Sequence, residues 1–297
     1  HHRSSAASDV YKRQNKTDAQ IKKAIINYDY RPFDKRKIFY EDCILDRARM
    51  LNMSNIIKGN IAINIPRQTF KNDYKHIFVS KNISDLNLLQ SANGQNVFFL
   101  YYYEVNIDKK TKSHTETKLV NFQEAFKKML AQKYADRFSP EQILGYIYAV
   151  LHSPTYRKKY VDFLKIDFPK IPFCDNISYF ETISTLGTQL IAAHLMEEIP
   201  EFDIATNYDG KVGQDMVEKI SFRAAKNVGR LYINKTNYFE PVPKAIFEFY
   251  IGGYKVLHKY LKERKGRDLE IEEIQQIKDI ANICLLYTSP SPRDTLL

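Results

Sequence analysis

The chain has 297 residues, a formal net charge of +10, 13% aromatic residues and three cysteines. Its length accommodates one large domain or two small ones, and no apolar stretch approaches the roughly 20 residues that a membrane-spanning helix needs. Cys43 and Cys174 lie far apart without a CxxC partner, which argues against a zinc site or disulfide framework and fits a reducing cytoplasm, while the basic balance suits nucleic acid or another anionic surface.

The two ends stand apart from the rest. Residues 9–14 read DVYKRQ and residues 284–289 read CLLYTS. These hexapeptides back-translate to opposite strands of one oligonucleotide and resemble read-through of a transposon-library sequencing adapter. Segments 1–14 and 284–297 are therefore expected to be adapter-derived, with the natural chain continuing beyond both. Setting them aside removes four basic and two acidic residues and leaves the net charge at +8.

From residue 15 to 28 the pattern suggests the tail of a helix through Ile21, Ala24 and Ile25. Pro32 and Asp34 mark a turn before a short strand at 37–40. Ile61, Ile63 and Ile65 alternate as a strand with one face inward. HIFVS (76–80) and NVFFLYYYEV (96–105) read as further strands, the second apolar on both faces and so central. The segment between them is polar and loop-rich, and 105–117 is a charged turn.

At 121 the period becomes helical. Asn121 and Glu124 signal a start, with Phe122, Ala125, Phe126 and Met129 on one face. Ser139-Pro140-Glu141-Gln142 combines an N-cap, a first-turn proline and a capping-box partner. Ser153-Pro154 opens another helix, with Tyr156, Tyr160, Phe163 and Leu164 inward and Arg157, Lys158 and Lys159 on the remaining arc. DFPKIPF (167–173) is extended, because each proline disfavours helix in the residue before it. Ser178 and Glu181 cap a third helix. A hairpin is predicted over 218–235, a strand over 246–251 ending at Gly252-Gly253, a helix over 254–264, and an amphipathic helix over 269–283. The fold class expected is α+β: a mixed, sheet-containing part at 15–120, then a mainly helical part at 121–283 with a small β-hairpin.

Catalytic constellations do not emerge. There is no Pro-Pro pair or glycine-rich strand-to-helix turn of the kind an amino-methyltransferase needs. Gly210-Lys211-Val212 lacks the hydroxyl and glycines of a P-loop. Glu41 and Asp42 have no convincing metal-binding partners, and Asp203 and Asp209 flank a turn. His152 at a helix junction and His194 beside Ile191 and Leu195 read as capping or packing residues. His76 precedes a strand.

Six ordered segments carry a resemblance: YRPFDKRKIFY (30–40), DRAR (46–49), HIFVSKNISDLNLL (76–89), YIYAVLHSPTYRKKY (146–160), LKIDFPKIP (164–172) and IGGYKVLHKYLKERKGR (251–267). In this order they resemble the C-terminal target-recognition (specificity) domain of single-polypeptide restriction–modification enzymes of the type ISP group and of related adenine-specific DNA methyltransferases. The resemblance covers roughly 28–280. Lys170 departs from it, standing where Arg is common, as do Lys255 and His258, where Gln and Glu are often found. The resemblance implies that a nuclease, a helicase-like ATPase and an adenine methyltransferase precede this domain. It also implies that S-adenosylmethionine, with ATP and Mg in some members, binds there and no cofactor or metal binds here. Double-stranded DNA and those further domains are the partners implied.

Physical chemistry then suggests roles. Arg157, Lys158, Lys159, Lys262, Arg264, Lys265 and Arg267 are candidates for phosphate contacts. Arg67, Gln68, Lys71, Asn72, Asn82, Asn87, Gln90, Asn93 and Gln95, with the 227–237 segment, carry the side-chain types that read bases in the major groove. Arg31 and Asp34 are candidates for packing against the preceding methyltransferase or for pairing with each other. Two other readings stay open: a piece of methyltransferase fold in 15–110, and a scaffold whose basic faces bind another subunit.

Overall fold

The computed structural model describes residues 16–41, 45, 49–69, 74–91, 94–107, 114–202, 205–225 and 228–287. Helix α1 (Asp18–Ala24) opens on a reciprocal cap, with Gln20 N donating to Thr17 Oγ1 and Thr17 N to Gln20 Oε1. It ends four residues before the expected limit, because the β-branched pair Ile25-Ile26 enters strand β1 (Ile25–Arg31). Strand β2 (Asp34–Phe39) folds back on it around Pro32-Phe33, with Phe33 in the left-handed region at φ 64°. Helix α2 (Met50–Ile57) packs beneath this hairpin and supplies Ile56 to a small core with Tyr40, Ala62 and Ile83.

The next sheet is centred on β3 (Ala62–Ile65), which is buried on both faces rather than one. It lies between β4 (Phe78–Ser80) and β6 (Asn96–Phe99), while β5 (Ile83–Ser84) joins β1 in parallel. The apolar run 96–105 is thus not a central strand. Leu100 divides it into edge strand β6 and β7 (Tyr101–Ile107), which forms a two-stranded hairpin with β8 (His114–Val120). The Asn60 side chain fixes the break. Its Nδ2 donates to Tyr101 O at 2.6 Å, and its Oδ1 accepts from Ile61 N and Tyr101 N, standing in for a strand partner.

The helical part comprises α3 (Glu124–Tyr134), α4 (Pro140–His152), α5 (Pro154–Lys159), α6 (Val161–Ile166) and α7 (Ile177–His194). Ser139 caps α4 with Gln142 as foreseen, and Ser153 caps α5. Gln123 rather than Asn121 occupies the cap position of α3, and Asn176 rather than Ser178 caps α7. Helices α4 and α7 approach closely at Gly145 and Gly187, where a Cβ on Gly187 would overlap the Gly145 carbonyl. The helix expected through Leu164 breaks at Tyr160 (φ −112°, ψ 15°). Leu164 is buried, but Phe163, expected inward, is 70% exposed.

In the last third, β9 (Asn207–Asp209), β10 (Ser221–Ala225), β11 (Val228–Tyr232) and β12 (Tyr238–Val242) form one antiparallel sheet in the order β10-β11-β12-β9, where a lone hairpin was expected. The predicted strand at 246–251 is divided: Pro243 opens α8 (Lys244–Phe247), and only Tyr250–Ile251 (β13) pairs with Tyr254–Lys255 (β14). Helices α9 (Val256–Lys262) and α10 (Ile271–Leu285) follow. Helix α10 passes residue 283 without a break, and Cys284 is fully buried. The architecture is α+β. Its two larger cores each draw on both sides of residue 120: Ile63, Val79 and Leu100 pack with α4 and α7, and Phe33, Phe78, Leu88 and Leu89 pack with the four-stranded sheet, α9 and α10.

Candidate nucleic-acid interface

The first basic set lies at the junction of α4, α5 and α6. Arg157 is half-buried there, with Nε donating to Leu151 O at 2.6 Å and Nη2 lying 3.0 Å from His152 Nδ1. It therefore stitches α5 to the carbonyl end of α4, whereas Lys158 and Lys159 are exposed. The extended segment after α6 has no strand partner among the described residues. Instead Tyr156, Tyr146 and Tyr134 donate their hydroxyls to the carbonyls of Lys170, Pro172 and Cys174 at 2.8, 2.8 and 2.6 Å. Alternate carbonyls of an extended chain point to one side, so three tyrosines from α3–α5 reach every second residue. Burial pushes the Tyr156 hydroxyl up to about 12, further above neutral pH than an exposed phenol.

The loop preceding Phe70 is brought to this same place. Arg67 Nε lies 3.0 Å from Asp167 Oδ1, with both side chains about two-thirds exposed. Gln68 Nε2 donates to Ile166 O at 3.3 Å, and Thr69 N to Lys165 O at 3.2 Å. The structure thus places two candidates for base reading, Arg67 and Gln68, against the end of α6, the helix that follows the phosphate candidates Lys158 and Lys159 in the chain.

Other candidates are held within the fold, and their assignment is corrected. Asn82 Nδ2 donates to buried Asp29 at 2.9 Å. The Asp29 carboxyl is raised by burial, which outweighs its hydrogen bonds from Ser80 and Asn82. Gln95 accepts from Leu89 N and donates to Asp85 O, and Gln90 Nε2 donates to Gly94 O and Gln68 O. These amides close the 82–95 loop on itself and do not reach outward. Asn87 is half-buried; its backbone donates to Asp85 and its carbonyl accepts from Tyr254. In the 227–237 segment, Asn234 and Asn237 fasten the 211–216 turn. Lys71, Asn72, Asn93 and Asn227 lie outside the described residues.

The C-terminal basic set divides in the same way. Lys262 and Lys265 are exposed. Arg264, expected on phosphate, is buried: Nη2 lies 3.1 Å from Asp34 Oδ1, Nε 2.6 Å from Glu273 Oε1, and Nη1 donates to Tyr260 O. A guanidinium buried between two carboxylates cannot turn outward to DNA without giving up both of these pairs. Arg267 is exposed but makes two hydrogen bonds to Glu273, at 2.8 and 2.6 Å. Arg31 and Asp34 do not pair with each other. Arg31 meets Asp85 at 3.0 Å, Asp34 is 1% exposed between Arg264 and Arg36, and Phe33 packs on Phe78. The RPFD segment therefore packs against this chain's own C-terminal helices, and the reading of Asp34 as a contact to a separate domain is overturned by its burial.

One surface extends the 227–237 segment on both sides, to Arg223 and Tyr238. On the outer face of the four-stranded sheet, Arg223 lies over Tyr232 and Arg230 over Tyr238, at 4.4 and 4.5 Å from the ring centroids. Alternation at 230, 232, 238 and 240 is its only sequence signal, and β12 was needed to see it. Arg230 is already paired with Glu240.

Gly252 N and Gly253 N donate to Lys75 O and Leu89 O at 2.7 Å each, so the amides of the chain's one Gly-Gly pair are not available to a phosphate or adenosyl group. No group of three or more His, Cys, Asp or Glu among the described residues could hold a metal ion. His194 lies between the hydroxyls of Tyr148 and Tyr287 and stacks on Phe78, an interior packing role like the one expected. None of the described helices is long and apolar enough to cross a membrane.

No curated protein matches the chain. Among solved structures it resembles the ATP-dependent Type ISP restriction-modification enzyme LlaBIII bound to DNA, with TM-score 0.73 and 16% identity over 99% of this chain and 19% of that one. It also resembles a nuclease-deletion mutant of the Type ISP enzyme LlaGI in complex with a DNA substrate mimic (TM-score 0.64, 17% identity, 92% of this chain and 21% of that one). A third likeness is to the DrdV–DNA complex (TM-score 0.68, 22% identity, 90% and 28%). The chain thus spans between a fifth and somewhat over a quarter of each of these proteins. The profile of one family, the Type ISP C-terminal specificity domain, matches residues 2–287, and on that match the chain belongs to the Type ISP C-terminal specificity domain family.

Proposed function

We propose that this chain is the DNA-recognition module of a restriction–modification polypeptide: it holds duplex DNA and selects the sequence at which other segments methylate adenine or cleave. Membership of the specificity-domain family over nearly its whole length is the observation that carries this reading. The docking of loop 66–69 on the end of α6 supports it: Lys158 and Lys159, exposed on the preceding helix, would take phosphates, and Arg67 and Gln68 carry the fork and amide that suit base edges. S-adenosylmethionine, and ATP with Mg, belong in this reading to the other segments.

The test is fluorescence anisotropy of the full chain with a labelled duplex pool across a range of salt concentrations. Binding should weaken linearly in log–log form, by about 0.9 per phosphate contact. A chain that binds no duplex even at low salt would exclude the reading and favour a protein-binding scaffold.

A further inference from the structure

Helix α6 carries an apolar edge that the interior does not use. Leu164 anchors the helix in the core, while Phe163 and Ile166, one turn apart on the same side, are 70% and 61% exposed. The edge continues toward Phe98, 46% exposed, through the edge-on contact of Phe98 with Phe168 at 5.3 Å. It is rigidly mounted: the carbonyls of Lys165 and Ile166 accept from Thr69 N and the Gln68 amide, and Asp167 holds Arg67.

What surrounds the edge says what it meets. Segment 157–170 contains five basic residues and two acidic ones. Both acids are engaged, Asp162 with Lys165 at 3.3 Å and Asp167 with Arg67 at 3.0 Å. Lysines are depleted at the centres of protein–protein interfaces, whereas DNA interfaces are strongly positive. A small apolar ridge flanked by exposed lysines matches the wedges with which proteins press on base steps and sugars while cations hold the flanking phosphates.

We propose that Phe163 and Ile166 form an apolar wedge that packs directly on the sugars and base edges of bound duplex DNA, with Lys158, Lys159 and Lys170 on the phosphates beside it. This rests on the DNA-recognition reading above and adds a contact that carries no charge.

That absence of charge gives the test. The full chain and its F163A/I166A variant are titrated with a labelled random-sequence duplex at several salt concentrations, and their circular dichroism and melting are compared. Because both side chains are exposed, melting should be unchanged. The variant should bind about tenfold more weakly, the size expected for losing buried apolar contact, with the salt slope of the parent chain, since an apolar contact releases no counterions. Phe163→Leu should recover most of the affinity. Equal affinity of the variant and the parent chain would overturn the wedge and leave the edge to a protein partner. A parent chain that does not bind DNA would instead remove the reading on which the wedge rests.

Discussion

Arg264 stands two residues from Lys262 and one from Lys265, both exposed, yet its own guanidinium is enclosed by Asp34, Glu273 and the Tyr260 ring. Replacing it with Met would remove the buried cation that bridges the two carboxylates, leaving Asp34 to Arg36 and Glu273 to Arg267, both from the exposed side. We expect a loss of about 3–5 kcal/mol in urea denaturation, the range for breaking a buried pair from one side. Lys262→Ala and Lys265→Ala should stay within about 0.5 kcal/mol of the parent. The same joint responds to acid. Burial pushes the Glu273 carboxyl up, but hydrogen bonds from Arg267, the Glu270 amide and Arg264 outweigh it and hold the group at about 2, below its ordinary 4.5. A depressed carboxylate contributes stability above its unfolded value and loses it as pH falls through the folded one. Urea midpoints should therefore drop between about pH 4.5 and 2, and Glu273→Gln should flatten that drop. None of this was legible locally. The KERKGR run reads as a solvated basic stripe, and the partner that buries Arg264 lies 230 residues away.

Elements were legible where their determinants are local. The Ser139 and Ser153 caps, the extended prolines after α6 and the β10–β11 pair depend on residues within a few positions of one another. Helix limits and caps shifted by a few residues for local reasons, but the larger differences came from contacts between distant segments. Asn60 divides the apolar run at Leu100, and the Gln68 and Thr69 contacts join a loop to the end of α6, which the break at Tyr160 turns so that Phe163 faces out. Close packing of α4 on α7 is a further effect of this kind. Gly187 looks like a helix-weakening residue in sequence, and Ala there would normally stabilise a helix by about 1 kcal/mol. Here its Cβ would overlap the Gly145 carbonyl, and Ser184 Oγ already donates to Gln142 O at 2.6 Å across the same crossing. Gly187→Ala should accordingly destabilise by at least about 1–3 kcal/mol, because two backbones must move apart. A melting temperature equal to or above that of the parent would show that the crossing relaxes freely.

Over the whole molecule, net charge conceals an uneven distribution, and on the proposed function that distribution favours one path for DNA over another. Segment 262–273 holds four basic residues against five acidic ones, with Arg264 buried and Arg267 engaged by Glu273. Segment 157–170 holds five against two, and loop 66–69 docks onto it with a further arginine. Segment 157–170 also carries Tyr160, Phe163 and Phe168, whereas 262–273 has no aromatic residue, and the positions of their acids separate the two further. Phosphates should follow the α5–α6 side, where the field is not cancelled locally. The K158A/K159A double variant should lower the log–log salt slope of duplex binding by about 1.8, two contacts' worth, whereas K262A/K265A should lower it by less than about 0.9. Both pairs are exposed, so neither change should alter melting, and the comparison isolates the electrostatic contribution. The reverse order of slopes would move the DNA path to α9 and the start of α10, and would detach Arg67 and Gln68 from base reading.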